Sequence, residues 1–167
     1  MNAWIRIIGR MGLRFKYKYD ESGNRIEEEI EQVNGRMLIK IPHIPLSIHP
    51  IHLPNPKINI KYTYNDKTQL IKEEGYIESR RGIKKLYTTE YTYDLNGNQI
   101  EVSTTISLRR QRKYTTTYEY DSNNLLRKIT YPNGTEEEYI NSTCGDKRIG
   151  KIKATRETRY YLIPTRG

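Results

Sequence analysis

Apolar and aromatic side chains alternate with polar ones along most of this chain. Phe15, Tyr17 and Tyr19 are interleaved with Lys16 and Lys18. Ile58, Ile60, Tyr62 and Tyr64 repeat the pattern, as do Ile100, Val102, Thr104, Ile106 and Leu108, and then Tyr114, Thr116, Tyr118 and Tyr120. A period of two places each set on one face of a β-strand. Residues suited to turns separate the runs: 20–24, Asn34 with Gly35, 65–68, 80–82, 94–98, 121–124 and 132–134. No stretch keeps a helical period for long enough to specify a helix. The prediction is therefore all-β: an antiparallel meander of long hairpins forming a twisted, repeat-built sheet. Its strands should be eight to ten residues long, or about 26–33 Å. Residues 4–8 suit a short extra strand, and 149–163 suit two more.

One segment breaks the alternation. Pro42, Pro45, Pro50, Pro54 and Pro56 each lack a ladder donor, so 42–56 cannot form a central strand. An extended connector or an edge segment fits. The predicted organisation is a poorly defined N-terminal segment over 1–14, a first repeat over 15–41, a proline-rich connector over 42–57, further repeats over 58–155 and a tail over 156–167. The connector also carries all three histidines, His43, His49 and His52. Neither a carboxylate nor a thiol lies among them, so a plain connector explains them better than a metal site, and no metal is expected.

The alternation contains a repeat. Aligned on Tyr19, Tyr64, Tyr93 and Tyr120, the residue two positions earlier is Tyr17, Tyr62, Tyr91 and Tyr118. The residue that follows is Asp20, Asn65, Asp94 and Asp121. Four positions on stand Gly23, Thr68, Gly97 and Asn124. A decayed fifth copy begins at Tyr139, with Asn141 in the second aromatic place and Gly145 four later. Paired tyrosines on one strand face build a cross-strand ladder. The Asp or Asn then bonds the backbone two residues on, and Gly or Asn accepts a positive φ. One copy cannot bury its aromatic face, whereas stacked neighbours can.

In these motifs the chain resembles the YD-repeat family, also called RHS repeats. Tyr17, Tyr19 and Asp20 with Gly23, Asn24 and Arg25 carry the likeness. So do Tyr91, Tyr93 and Asp94 with Gly97 and Asn98, and Tyr118, Tyr120 and Asp121 followed by Tyr131, Pro132, Asn133, Gly134 and Thr135. The likeness covers residues 15–30 and 58–150. It implies an all-β spiral of hairpins that serves as a hollow shell around a toxic C-terminal domain, or as a bacterial cell-surface adhesion scaffold. It also implies no enzymatic activity and no cofactor, apart from a self-cleaving end in some members. Implied partners are further YD repeats or another protein chain, with carbohydrate as a further option, and the implied location is exported or at the cell surface. Three departures stand out: too few repeats to close a shell, no aspartate-rich self-cleavage signature, and only 17 residues after Gly150. Similar hairpin arrays in small bacterial surface proteins are closer in size.

Composition agrees with a sheet whose core is thin. Ile, Leu, Val and Phe make up 36 of 167 residues, and the 15 Tyr supply most of the remaining apolar area. The single Cys144 makes no internal disulfide. No apolar run approaches the length of a membrane-spanning helix, so no membrane insertion is expected. Arg6 interrupts the apolar patch at the start, which is not a signal-peptide core.

The formal charge is +9. Read as spread over the chain, it describes a solvated sheet face whose lysines guard against edge pairing. The alternative is a module that binds nucleic acid or another polyanion through Arg109, Arg110, Arg112, Lys113 and Tyr114, where cations grip phosphates and the ring stacks a base. A charged hairpin loop explains the same cluster. Gly145 to Lys151 matches phosphate-loop spacing, but Ile152 stands where Ser or Thr must hold magnesium. The glutamate runs 27–29 and 136–138 suit solvated strand faces. No catalytic residues are assigned.

Overall fold

The computed structural model describes residues 4–8, 13–32, 37–40, 43, 48–51, 57–79, 81–107, 110–142, 148–154 and 158–162. Every regular element among them is a strand. In chain order they are β1 (Trp4–Ile8), β2 (Leu13–Tyr19), β3 (Arg25–Gln32), β4 (Met37–Lys40), β5 (Ile48–Ile51), β6 (Lys57–Tyr64), β7 (Leu70–Ser79), β8 (Gly82–Tyr93), β9 (Gln99–Ile106), β10 (Arg112–Tyr120), β11 (Leu126–Thr130), β12 (Glu136–Asn141), β13 (Arg148–Ala154) and β14 (Thr158–Leu162). Twelve of them form one sheet in the order β1-β2-β3-β6-β7-β8-β9-β10-β11-β12-β13-β14. Apart from the step from β3 to β6, neighbours in sequence are neighbours in the sheet. That is the meander the alternation predicts.

The step from β3 to β6 spans the proline-rich segment. There β4 and β5 make a separate two-stranded ladder, pairing Met37 with Ile51 and Lys40 with Ile48. Pro50 sits in β5, opposite Leu38. In a two-stranded ladder every strand has a free edge, so a residue without an N–H is tolerated. The Asn34–Gly35 turn lies outside the described residues.

The chain divides into two compact units. The first is Met1–Glu90 with Thr104–Lys113, and the second is Tyr91–Ser103 with Tyr114–Gly167. In the first unit, one sheet face is built from Ile58, Ile77, Leu86, Tyr87, Thr89, Thr104 and Ile106, all buried. Thr89 and Thr104 share a hydrogen bond of 3.0 Å across β8 and β9. The opposite face of β2, β3, β6 and β7 is ionic. Lys16 bonds Glu29 at 2.6 Å, Lys57 reaches Glu29 at 2.9 Å and Glu78 at 3.5 Å, and Lys85 meets Glu74 at 2.6 Å. A cationic β2 beside an anionic β3 beside a cationic β6 favours that strand order over any that sets like charges opposite. In the second unit the most buried side chains are Val102, Ser103, Thr116 and Glu137. Ser103 bonds Thr115 at 3.1 Å.

Candidate functional site: the repeated tyrosine–aspartate turn

The four aligned motifs fold into the same turn. In the first, the Asp20 N–H donates to the Asn24 carbonyl at 2.9 Å, and the Gly23 N–H donates to the Asp20 carbonyl at 3.2 Å. The same two bonds join Asn65 with Gln69 and Thr68, Asp94 with Asn98 and Gly97, and Asp121 with Leu125 and Asn124, all between 2.9 and 3.1 Å. The fourth turn residue is left-handed each time: Gly23 at φ 83°, Thr68 at 60°, Gly97 at 88° and Asn124 at 61°. This is a three-residue hairpin loop closed by a bulge. A register shift sits beside it at Lys18/Tyr19, Thr63/Tyr64 and Glu119/Tyr120.

The side chain after the second tyrosine caps each turn. Oδ1 of Asp20, Asn65, Asp94 and Asp121 accepts the N–H four residues on, from Asn24, Gln69, Asn98 and Leu125, at 2.8–3.0 Å. Asn24 and Asn98 also donate their amides to the second carboxylate oxygen at 3.0 Å. These bonds favour the charged form. The Asn24 amide holds the Asp20 carboxyl below its ordinary value, the Asn98 amide does the same for Asp94, and the Leu125 N–H does so for Asp121. The aspartates are turn acceptors, fully engaged by backbone and amide donors.

The tyrosines tie one turn to the next. Tyr64 donates its hydroxyl to the Arg25 carbonyl at 2.9 Å, and Tyr120 donates to the Gln99 carbonyl at 3.0 Å. In both, the acceptor lies five residues after the aspartate of a neighbouring copy. In the decayed copy the Asn141 amide donates to the Leu126 carbonyl at 3.2 Å, again five residues after Asp121, and to Asp121 itself at 3.0 Å. Asn141 thus does by amide what Tyr64 and Tyr120 do by hydroxyl, which supports the fifth alignment; Gly145 lies outside the described residues. Residues 131–135 form a further turn of this geometry. Tyr131 stands in the aspartate's place, Gly134 is at φ 77°, and the Asn133 side chain accepts the Thr135 N–H at 3.0 Å.

Other tyrosines bond buried carboxylates, and two of these, Glu28 and Glu137, belong to glutamate runs expected on solvated faces. Glu28 is buried and accepts the Tyr62 hydroxyl at 2.9 Å. Arg25 bonds Glu28 at 3.2 Å and lies over the rings of Tyr17 and Tyr62. Glu73 is buried and accepts the Tyr87 hydroxyl at 2.5 Å. In the second unit, buried Glu137 accepts from Lys151 at 2.9 Å and Tyr139 at 3.0 Å. A signal for the first two was present: each glutamate stands eight residues after the turn's Asp or Asn.

Burial raises the pKa of Tyr62, Tyr64, Tyr93, Tyr118 and Tyr120, and pushes that of Tyr131 up to about 12, with Glu137 adding to the shift there. An acid whose folded pKa is raised contributes stability below its unfolded value and loses it as pH rises through the folded one. Alkaline unfolding is therefore expected to begin above the ordinary tyrosine value of 10.0 and to be advanced near 12. Tyrosinate absorbance and the strand signal in circular dichroism should change together. Full ionisation near pH 10 with the strand signal intact would contradict this burial.

Four of the five predicted polyanion residues are described. Arg109 lies outside the described residues. Arg110 is in a bend, Arg112 and Lys113 begin β10, and all three are exposed. Tyr114 is half-buried. His43 is exposed, His49 lies on β5, and His52 is outside the described residues. Among the described residues no group of three or more His, Cys, Asp and Glu is placed to hold a metal ion. No helix there is long and apolar enough to cross a membrane.

No protein-family model matches the chain, and no curated protein matches it. Among solved structures it is similar to a chain of the Tc holotoxin pore of Photorhabdus luminescens with a mutated TccC3 component, at 16% identity and a TM-score of 0.30. The match covers 95% of this chain and 11% of that one, so this chain spans about a ninth of its length.

Proposed function

We propose that this chain is a non-catalytic structural and interaction scaffold, a short stretch of YD-type repeat sheet that works by assembling with another protein chain. One observation carries the reading. The hydrogen bond from the second aromatic place to the carbonyl five residues after a neighbouring aspartate recurs at Tyr64, Tyr120 and Asn141. Side chains that repeat in register and spend their polar atoms on one another suit a building unit. The aspartates that an acid–base mechanism would recruit are occupied as turn acceptors. Assignment to the YD-repeat family and a place on a bacterial cell surface or within a toxin belong to this proposal.

The scaffold role separates from a ligand-binding role by what the tyrosines control. Tyr64→Phe and Tyr120→Phe are each expected to lower stability by about 1 kcal/mol, nearly additively, because each removes one half-buried bond. Denaturant titration measures this. If the tyrosines instead serve to stack on sugars, the same variants keep their stability and lose affinity on a glycan array.

A further inference from the structure

The positive charge is concentrated rather than spread. Residues 79–85 and 107–113 hold eight of the chain's 29 Lys and Arg and none of its 20 Asp and Glu. The rest of the chain carries 21 cations against 20 anions, so these two segments account for nearly the whole net charge. Both belong to the first compact unit.

The fold brings their described residues to the same end of that unit. Thr89 pairs with Thr104 through their hydroxyls, and the Ser107 N–H donates to the Leu86 carbonyl at 2.8 Å. The Ser103–Thr115 bond across β9 and β10 sets Arg112 level with Ile106, beside the Ser107–Leu86 bond, and Ile83 and Lys84 lie three and two residues beyond Leu86 toward that same end. Arg81, Lys84, Arg110, Arg112 and Lys113 are all exposed there. Among them Ile83 is 69% exposed, a large apolar side chain held in water amid cations. The carboxylate facing Ile83 across β7 is Glu78, which is engaged by Lys57 at 3.5 Å, and Lys85 points its charge at Glu74 on the ionic face. The cations at the tip therefore have no carboxylate of their own loops to neutralise them.

The geometry points to a docking surface for an anionic lipid membrane, in which the cations hold phosphate headgroups and Ile83 dips between them. The exposed isoleucine selects this partner. A nucleic-acid groove gains nothing from an apolar tip and uses a free aromatic ring, whereas Tyr114 is half-buried. A lipid interface rewards both features, charge at the headgroups and apolar area just beneath them. The contact is peripheral and requires no membrane-spanning segment. It does not rest on the scaffold reading.

The test uses the full chain with vesicles of phosphatidylcholine alone and of phosphatidylcholine with phosphatidylglycerol in equal parts. Co-sedimentation should show binding to the mixed vesicles only, weakening as salt rises. Arg110→Ala with Arg112→Ala should weaken binding roughly 25-fold, about five-fold per cation removed. Ile83→Ser should weaken it several-fold and leave the salt dependence unchanged. All these positions are exposed, and an unaltered melting temperature confirms that folding is intact. Equal binding to neutral vesicles, or no effect of the double variant, would overturn the proposal. An unaffected Ile83→Ser variant, with single-stranded DNA displacing the protein from vesicles, would assign the surface to nucleic acid instead.

Discussion

Gly75→Ala is expected to destabilise the protein by roughly 3 kcal/mol, more than any exposed substitution. Gly75 lies on β7 directly across from Tyr87 on β8. A β-carbon there would sit 2.7 Å from two atoms of the Tyr87 ring and nearer still to a third. The ring cannot lift away cheaply. Tyr87 is only 2% exposed, and its hydroxyl is tied to buried Glu73. Moving it opens a void and leaves a buried carboxylate short of a donor. The strand tolerates glycine's entropic cost because the tyrosine covers the bare backbone. Thermal unfolding should drop by about 10 °C. In a Tyr87→Leu background the further cost of Gly75→Ala should fall below about 1 kcal/mol, because the clash has gone. Equal cost in both backgrounds would contradict the close approach.

Gly97→Val is expected to cost about 2 kcal/mol, and Gly97→Asn less than about 1. Gly97 holds φ at 88° and donates its N–H to the Asp94 carbonyl at 3.1 Å. A β-branched side chain strains that left-handed backbone, while asparagine enters it readily. The chain itself illustrates the tolerance for asparagine, since Asn124 occupies the same place at φ 61°; β-branched Thr68 stands there at φ 60° with its hydroxyl donated to the Lys67 carbonyl at 2.7 Å, a bond valine cannot make. The Asn124 side chain even gains a role, accepting the Asn96 and Asn98 amides at 3.1 and 2.9 Å. Chemical denaturation of the two variants provides the comparison. Similar costs for both would mean that the position does not demand left-handed backbone.

Much of the sheet was legible because its signals are local. Alternation over Ile58, Ile60, Tyr62 and Tyr64 fixes a strand and its inward face, and the motif from Asp94 to Asn98 fixes the turn and its acceptor. The β5 strand was less visible, because Pro50 argues against a strand until a two-stranded ladder supplies an edge for it. The partners of the tyrosines were also hidden. Which carbonyl Tyr64 reaches depends on β3 lying beside β6, a contact across the proline segment that no local pattern announces. Glu28 and Glu137 looked like members of solvated runs because a period of two does not say how deeply a face is covered. The concentration of charge could have been found by counting, but its meaning needed the pairing of β8 with β9 to bring the two basic loops together.

One turn recurs at four places, capped in the same way each time. Residue-resolved amide hydrogen exchange tests it most directly. Slow exchange is expected at Asp20, Asn65, Asp94 and Asp121 and at the residues four further on, Asn24, Gln69, Asn98 and Leu125, because each of these N–H groups is donated within the turn. Exposed Asp66, Leu95 and Ser122, at the tips of three of the copies, should exchange fast. Turn amides exchanging at free-chain rates, or a different protection pattern in each copy, would contradict the repeat.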